Sequence, residues 1–146
     1  MEIKNLYRLI IPIILFLSLS CIKDKSVYPF GYEYYMQSWP PAIISQGLGY
    51  PNLDLPPAGQ RASALRAAKL DLYKNLHDLT FNLPIERNKR LIDLFSCSEN
   101  QAMKIEIETC IKSFRVIDTI YHSDGSVEVK GYIETNLLKK IIRKYL

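Results

Sequence analysis

The residue best placed to do chemistry is Cys21. It stands where an apolar and small-residue run, Leu9 to Ser20, gives way abruptly to Ile22-Lys23-Asp24-Lys25. Lys4 and Arg8 precede that run, which gives the charged and then greasy layout of a secretory signal. A transmembrane helix needs roughly 20 apolar residues, and this run is shorter and holds Pro12, so a permanent span is disfavoured. Cleavage before Cys21 would leave its thiol on the first residue of the mature chain. An ordinary secreted protein and an uncleaved anchor, in which Cys21 is simply one more apolar residue, are the alternatives.

The other reactive side chains do not assemble into catalytic machinery. His77 and His122 are the two histidines, the first in the polar part of a long helical segment and the second in a turn. Neither comes with a nucleophile and an orienting group that sequence order can assign. Glu106 and Glu108 are two apart and diverge on a helix, which makes a poor carboxylate pair. Gly47-Leu48-Gly49 is too short for a phosphate loop. Cys97 and Cys110 suit a disulfide by compartment. If Cys97 precedes a helix that contains Cys110, however, their thirteen-residue separation puts them about 20 Å apart, well past the ~7 Å limit between bridged α-carbons. Two buried thiols are the better reading. No metal or cofactor is expected, and the protein is not expected to be an enzyme.

These residues must be positioned by a small fold. Removing the first 20 of 146 residues leaves 126, enough for one core. The chain holds 19 Lys and Arg against 15 Asp and Glu. That balance is only mildly basic and gives nucleic-acid binding no support. From Ile22 to Pro57, prolines at 40, 41, 56 and 57 exclude a long helix. We read residues 21–41 as Cys21 and an aromatic tether with Tyr28, Phe30, Tyr32, Tyr34, Tyr35 and Trp39, followed by a strand from Ala42 to Leu48. Tyr34, Tyr35 and Trp39 are candidate partner contacts, since their rings join apolar area to a polar handle. Such a cluster more commonly packs a tether onto its own domain.

Arg61 to Leu79 predicts the most secure helix, with Leu65, Ala68, Leu72, Leu76 and Leu79 on one face. Ala64, Ala67 and Ala68 would let it lie close to a neighbour, and Pro84 prevents its continuation. Met103, Ile107, Cys110, Ile111 and Phe114 form a helical stripe that competes with strand alternation. Ser98 with Gln101 fits a capping box, which favours a helix from about Glu99 to Ser113. Phe114–Tyr121 and Val127–Ile133 read as strands joined at Asp124-Gly125, a hairpin signal. Asn136 is a plausible cap for a closing helix with Leu138, Ile141, Ile142 and Tyr145 on one face. Lys139, Lys140, Arg143 and Lys144 lie opposite; a solvated face and the helix dipole account for them without an anionic lipid.

Two stretches also resemble known sequences. Leu17-Ser18-Leu19-Ser20-Cys21 resembles the cleavage site of bacterial lipoproteins, with Ser18 where Leu is usual. By the sorting rule of double-membrane bacteria, Ile22 in place of Asp implies the outer membrane. Gly47-Leu48-Gly49, Arg61 to Leu76 with Arg66-Ala67-Ala68 and Asp71, Val116-Ile117-Asp118, and Ser123 to Val129 together resemble the LPP-twenty family of small outer-membrane lipoproteins, over roughly residues 42–135. That family includes the flagellar protein FlgP and resembles the amino-terminal domain of FlgT. Ser113-Phe114 and Phe81-Asn82 depart from its Gly-containing pattern.

The resemblance implies an α+β domain at 42–146, a helix on a small antiparallel sheet, with no catalytic residues. It also implies partners among envelope or flagellar proteins, or a homo-oligomer. The expectation is a palmitate-type lipoprotein facing the periplasm, held in the bilayer through Cys21, with 1–20 removed. Its role would be structural or assembly-related, and an edge strand offers a place to pair. The alternative is a periplasmic binding module for a glycan or small ligand at Tyr34, Tyr35 and Trp39.

Overall fold

The computed structural model describes residues 31–96 and 100–146. Residues 1–30, with Cys21, Tyr28 and Phe30 among them, and Cys97 and Ser98 lie outside them. Helix α1 (Gly31–Gln37) leads into strand β1 (Ala42–Gly49), the long helix α2 (Pro57–Phe81) and a small pair β2 (Pro84–Glu86) and β3 (Lys89–Arg90). A 3-10 helix (Leu91–Ser96), helix α3 (Gln101–Lys112), strands β4 (Arg115–Tyr121) and β5 (Val127–Glu134), and helix α4 (Thr135–Tyr145) complete the domain. The main sheet runs β1-β5-β4, antiparallel throughout. The fold is α+β, a small antiparallel sheet packed against an Ala-rich helix with further helices beside it.

The contact that organises the fold is backbone against backbone. Ala64 and Ala68 of α2 are fully buried, and β1 meets them with glycine. A Cβ at Gly47 would collide with the Ala68 carbonyl oxygen and the Leu72 nitrogen, and one at Gly49 with the Ala64 oxygen and the Ala68 nitrogen. Small residues on both elements therefore let the helix run back along the strand that precedes it. Leu72 and Leu76 continue the buried stripe, but the next member is Thr80 and not Leu79. Thr80 can be buried because its hydroxyl donates to the Leu76 carbonyl at 2.7 Å. Leu79 is left 47% exposed, and Phe81 goes inside in its place.

Helix α2 starts four residues before Arg61, because Pro at the first helical position lacks an N–H that would have no partner there anyway. It ends where Asn82 donates from both backbone and side chain to the Asp78 carbonyl, two residues ahead of Pro84. In α3 the helical stripe prevails, with Met103, Ile107 and Ile111 buried and Ile105 exposed. Its start falls at Gln101 after Asn100, with no side-chain cap, so it begins later than Glu99. In α4 the capping expectation fails. Glu134 takes the cap position, Asn136 is exposed inside the helix, and Thr135 is the residue that fastens this end. Its hydroxyl reaches the Pro40 carbonyl at 2.5 Å and its amide donates to the Pro41 carbonyl.

The segment before β1 is not all tether. Met36 and Trp39 are buried in the core, and the Trp39 indole N–H donates to the Pro84 carbonyl at 2.8 Å. Glu33 meets the Arg143 guanidinium through two hydrogen bonds, 2.6 and 2.8 Å. The folded domain therefore includes residues 31–41, and the boundary at residue 42 falls too late. Seven residues sufficed for a helix that local propensity did not announce, because Met36 and Trp39 have a core to enter.

Candidate interaction surface

Each reactive residue can now be placed. His122 borders a shallow polar pocket with Gln60 and Arg61 at the amino end of α2. His77 lies 16 residues further along that helix than Arg61, about 24 Å away, so the two histidines cannot share a site. His77 is packed more apolarly than its neighbours suggested, with its ring 4.4 Å from that of Phe81 and 6.1 Å from that of Tyr73. Glu106 accepts from the Lys144 ammonium and the Tyr145 hydroxyl, each at 2.6 Å, which holds its carboxyl below the usual range. Cys110 carries a free, half-buried thiol whose pKa burial raises, the opposite of an activated nucleophile. Among the described residues no group of three or more His, Cys, Asp and Glu could hold a metal ion, and no helix is long and apolar enough to cross a membrane.

The three aromatic candidates do not form one platform. Tyr34 is 64% exposed and meets Tyr35 edge to face, with ring centroids 5.5 Å apart. Trp39 belongs to the core, as the bland reading of that cluster held, and cannot offer its ring to a ligand.

The sheet edges differ from each other. The free edge of β1 is occupied by α2: Asp71 accepts the Leu48 N–H at 3.0 Å, and the Asn75 amide donates to the Gln46 carbonyl at 2.8 Å. Asp71 is thus an edge cover, a role its helical position alone did not reveal. The β4 edge carries a register shift between Val116 and Asp118, and the Asp118 carboxylate takes the Thr119 N–H at 2.7 Å. Bulges and charges of this kind are how a sheet resists unwanted strand addition.

What remains open is the side-chain surface of β4. Val116, Ile117, Ile120 and Tyr121 are each between 44% and 52% exposed, and no β4 residue is buried. Beside it, α2 and the α3–β4 junction enclose a groove of about 550 Å³, walled by Leu65, Leu70, Tyr73 and Phe114 with Arg66, Lys69 and Lys112 around them. Burial pushes the Tyr73 hydroxyl up, aided by the nearby Glu108 charge. Such a surface offers binding area and charge, and no reacting group. The sequence signal for it was available in Val116-Ile117, apolar on both faces of an edge strand.

No protein-family model, curated protein or solved structure matches this chain.

Proposed function

We propose that the protein is a membrane-anchored, non-enzymatic envelope lipoprotein, cleaved before Cys21, lipidated there, and held at the periplasmic side of the outer membrane for a structural or assembly role. The observation that carries the assembly role is β4, an edge strand with no buried residue whose apolar side chains stay open on both faces, whereas β1 and β5 each bury one face. Apolar side chains left open along an edge strand suit an interaction site. The anchor is supported by the sequence around Cys21. The LPP-twenty resemblance supports the same reading and suggests a flagellum-associated or oligomeric envelope structure as the setting. The glycan-binding alternative is weakened by the burial of Trp39.

A photoreactive amino acid placed at Ile117 or Ile120 in cells tests the role. Discrete adducts from these positions, absent from Lys74 on the exposed side of α2, are expected. Uniform, weak labelling from all three would overturn an assembly role for β4.

A further inference from the structure

A helix is about 10 Å across and strands lie about 4.8 Å apart, so one helix covers roughly two strands. Helix α2 does this over β1 and β5, and reaches the third strand at Tyr121, where the Arg61 guanidinium lies 4.6 Å from the ring centroid. Pairing places Val116, Thr119 and Tyr121 on the same face as Gly131, Val129 and Val127. On β5 that face is buried, with Val127 and Val129 at 0% exposure, while Val116 and Tyr121 on β4 are nearly half exposed. The groove beside α2 runs along Ala62 to Tyr73 and meets Lys112 and Phe114 just before β4 begins.

We propose that this groove is the docking site for an acidic amphipathic helix of another envelope protein. The proposal rests on the assembly reading and adds the chemistry of the partner. Arg66 and Lys69 on α2 and Lys112 at the end of α3 put positive charge on both walls; the Glu108 charge near Tyr73 does not line the groove, and the three cations outnumber it. Among the described residues none of the three cations has an acid within ion-pair distance.

Charge complementarity then selects the occupant. A second copy docking groove to groove would oppose like charges. An added strand would meet the bulge and Asp118 at the β4 edge. A lipid headgroup would use cations at one end of an apolar slot, whereas these sit on two flanking elements. The groove follows α2 from Ala62 to Tyr73, about 16 Å or three turns, which suits a helix that anchors through i, i+3/i+4 and i+7 apolar residues.

The test uses the full chain in neutral phosphatidylcholine nanodiscs and a fluorescent helical peptide of about fifteen residues, four turns, with Leu on one face and Glu on its flanks. Its counterpart has Lys at every Glu. Saturable binding of the Glu peptide is expected, at least ~10-fold tighter than the Lys peptide. Leu70→Glu, and Arg66→Glu with Lys69→Glu, should each weaken it about tenfold or more, because one buried Leu or two charge contacts are worth that much. Lys74→Glu should leave it unchanged. Leu70 is 64% exposed, so its substitution spares the core, and circular dichroism verifies the fold of each variant. Equal binding of both peptides, no binding, equal binding by wild type and groove variants, or displacement of the Glu peptide by phosphatidylglycerol vesicles would each overturn the proposal. Adducts from Ile117 that persist alongside a failed peptide test would leave the assembly reading standing without this partner.

Discussion

Adding one methyl group at Gly49 should cost more stability than removing most surface side chains. The new Cβ would overlap the Ala64 oxygen and the Ala68 nitrogen and lie 2.9 Å from the Ala67 Cβ, and two of these three are backbone atoms that no rotamer can move aside. Helix α2 would have to lift from β1, which opens the interface that buries Ala64, Ala68 and Leu72. Overpacking costs typically 1–3 kcal/mol, and the rigid neighbours place Gly49→Ala near the top of that range, about 3 kcal/mol. Reduced freedom of the unfolded chain offsets this by about 0.4–1 kcal/mol. The net loss of about 2 kcal/mol corresponds to a fall in Tm on the order of 10 °C for a domain of this size. Gly31→Ala is the matched control, because nothing lies within 4 Å of its added methyl, and its effect should stay within about 0.5 kcal/mol. Urea unfolding followed by circular dichroism measures both. A Gly49→Ala protein within 0.5 kcal/mol of wild type would refute the close seating of α2 on β1.

Trp39→Phe leaves the Pro84 carbonyl without its donor and should lower stability by about 1–3 kcal/mol in the same unfolding assay. Fluorescence of the single Trp39 should be blue-shifted and resist iodide and glycan quenching, since the ring is 5% exposed; saturable quenching by glycans would count against the burial. Thr135→Val removes the hydroxyl that ties α4 to the Pro40 carbonyl, with an expected loss of about 0.5–1.5 kcal/mol, read as a lower urea midpoint. For pH, hydrogen bonding to Arg143 depresses the Glu33 carboxyl, and Lys144 with Tyr145 depresses that of Glu106. A carboxyl with a lowered folded pKa stabilises above its unfolded value, about 4.3, and loses that contribution as pH falls through the folded one. Acidification below about pH 4.3 should therefore loosen α4 first, and Glu33→Gln with Glu106→Gln should flatten that dependence in an acid titration followed by circular dichroism.

The regular part of the fold was legible because its signals were local. The Ala68, Leu72 and Leu76 spacing along α2, alternation along β5 and Asp124-Gly125 each need only neighbouring residues, and Gly125 does take a positive φ of 84°. The errors fall where a distant partner decides. Helix α1 exists because Met36 and Trp39 reach a core built from residues far along the chain, and proline density hid this. Thr80 replaced Leu79, and Thr135 replaced Asn136, through hydrogen bonds to carbonyls that no spacing rule indicates. The pair β2–β3 and the 3-10 helix are too short to carry a period. The groove was least legible, since Leu65, Leu70 and Phe114 read individually as ordinary apolar residues and become a surface only when β4 is found uncovered.

Cys21 is the residue on which membrane anchoring depends, and intact mass with membrane fractionation of the full chain and its Cys21→Ala variant in a bacterial host tests it. The prediction is a wild type lacking its first 20 residues, heavier by its acyl chains and found in the outer-membrane fraction, with the variant uncleaved or unlipidated. A wild type that keeps those residues, or a soluble product with a free Cys21 thiol, would contradict it.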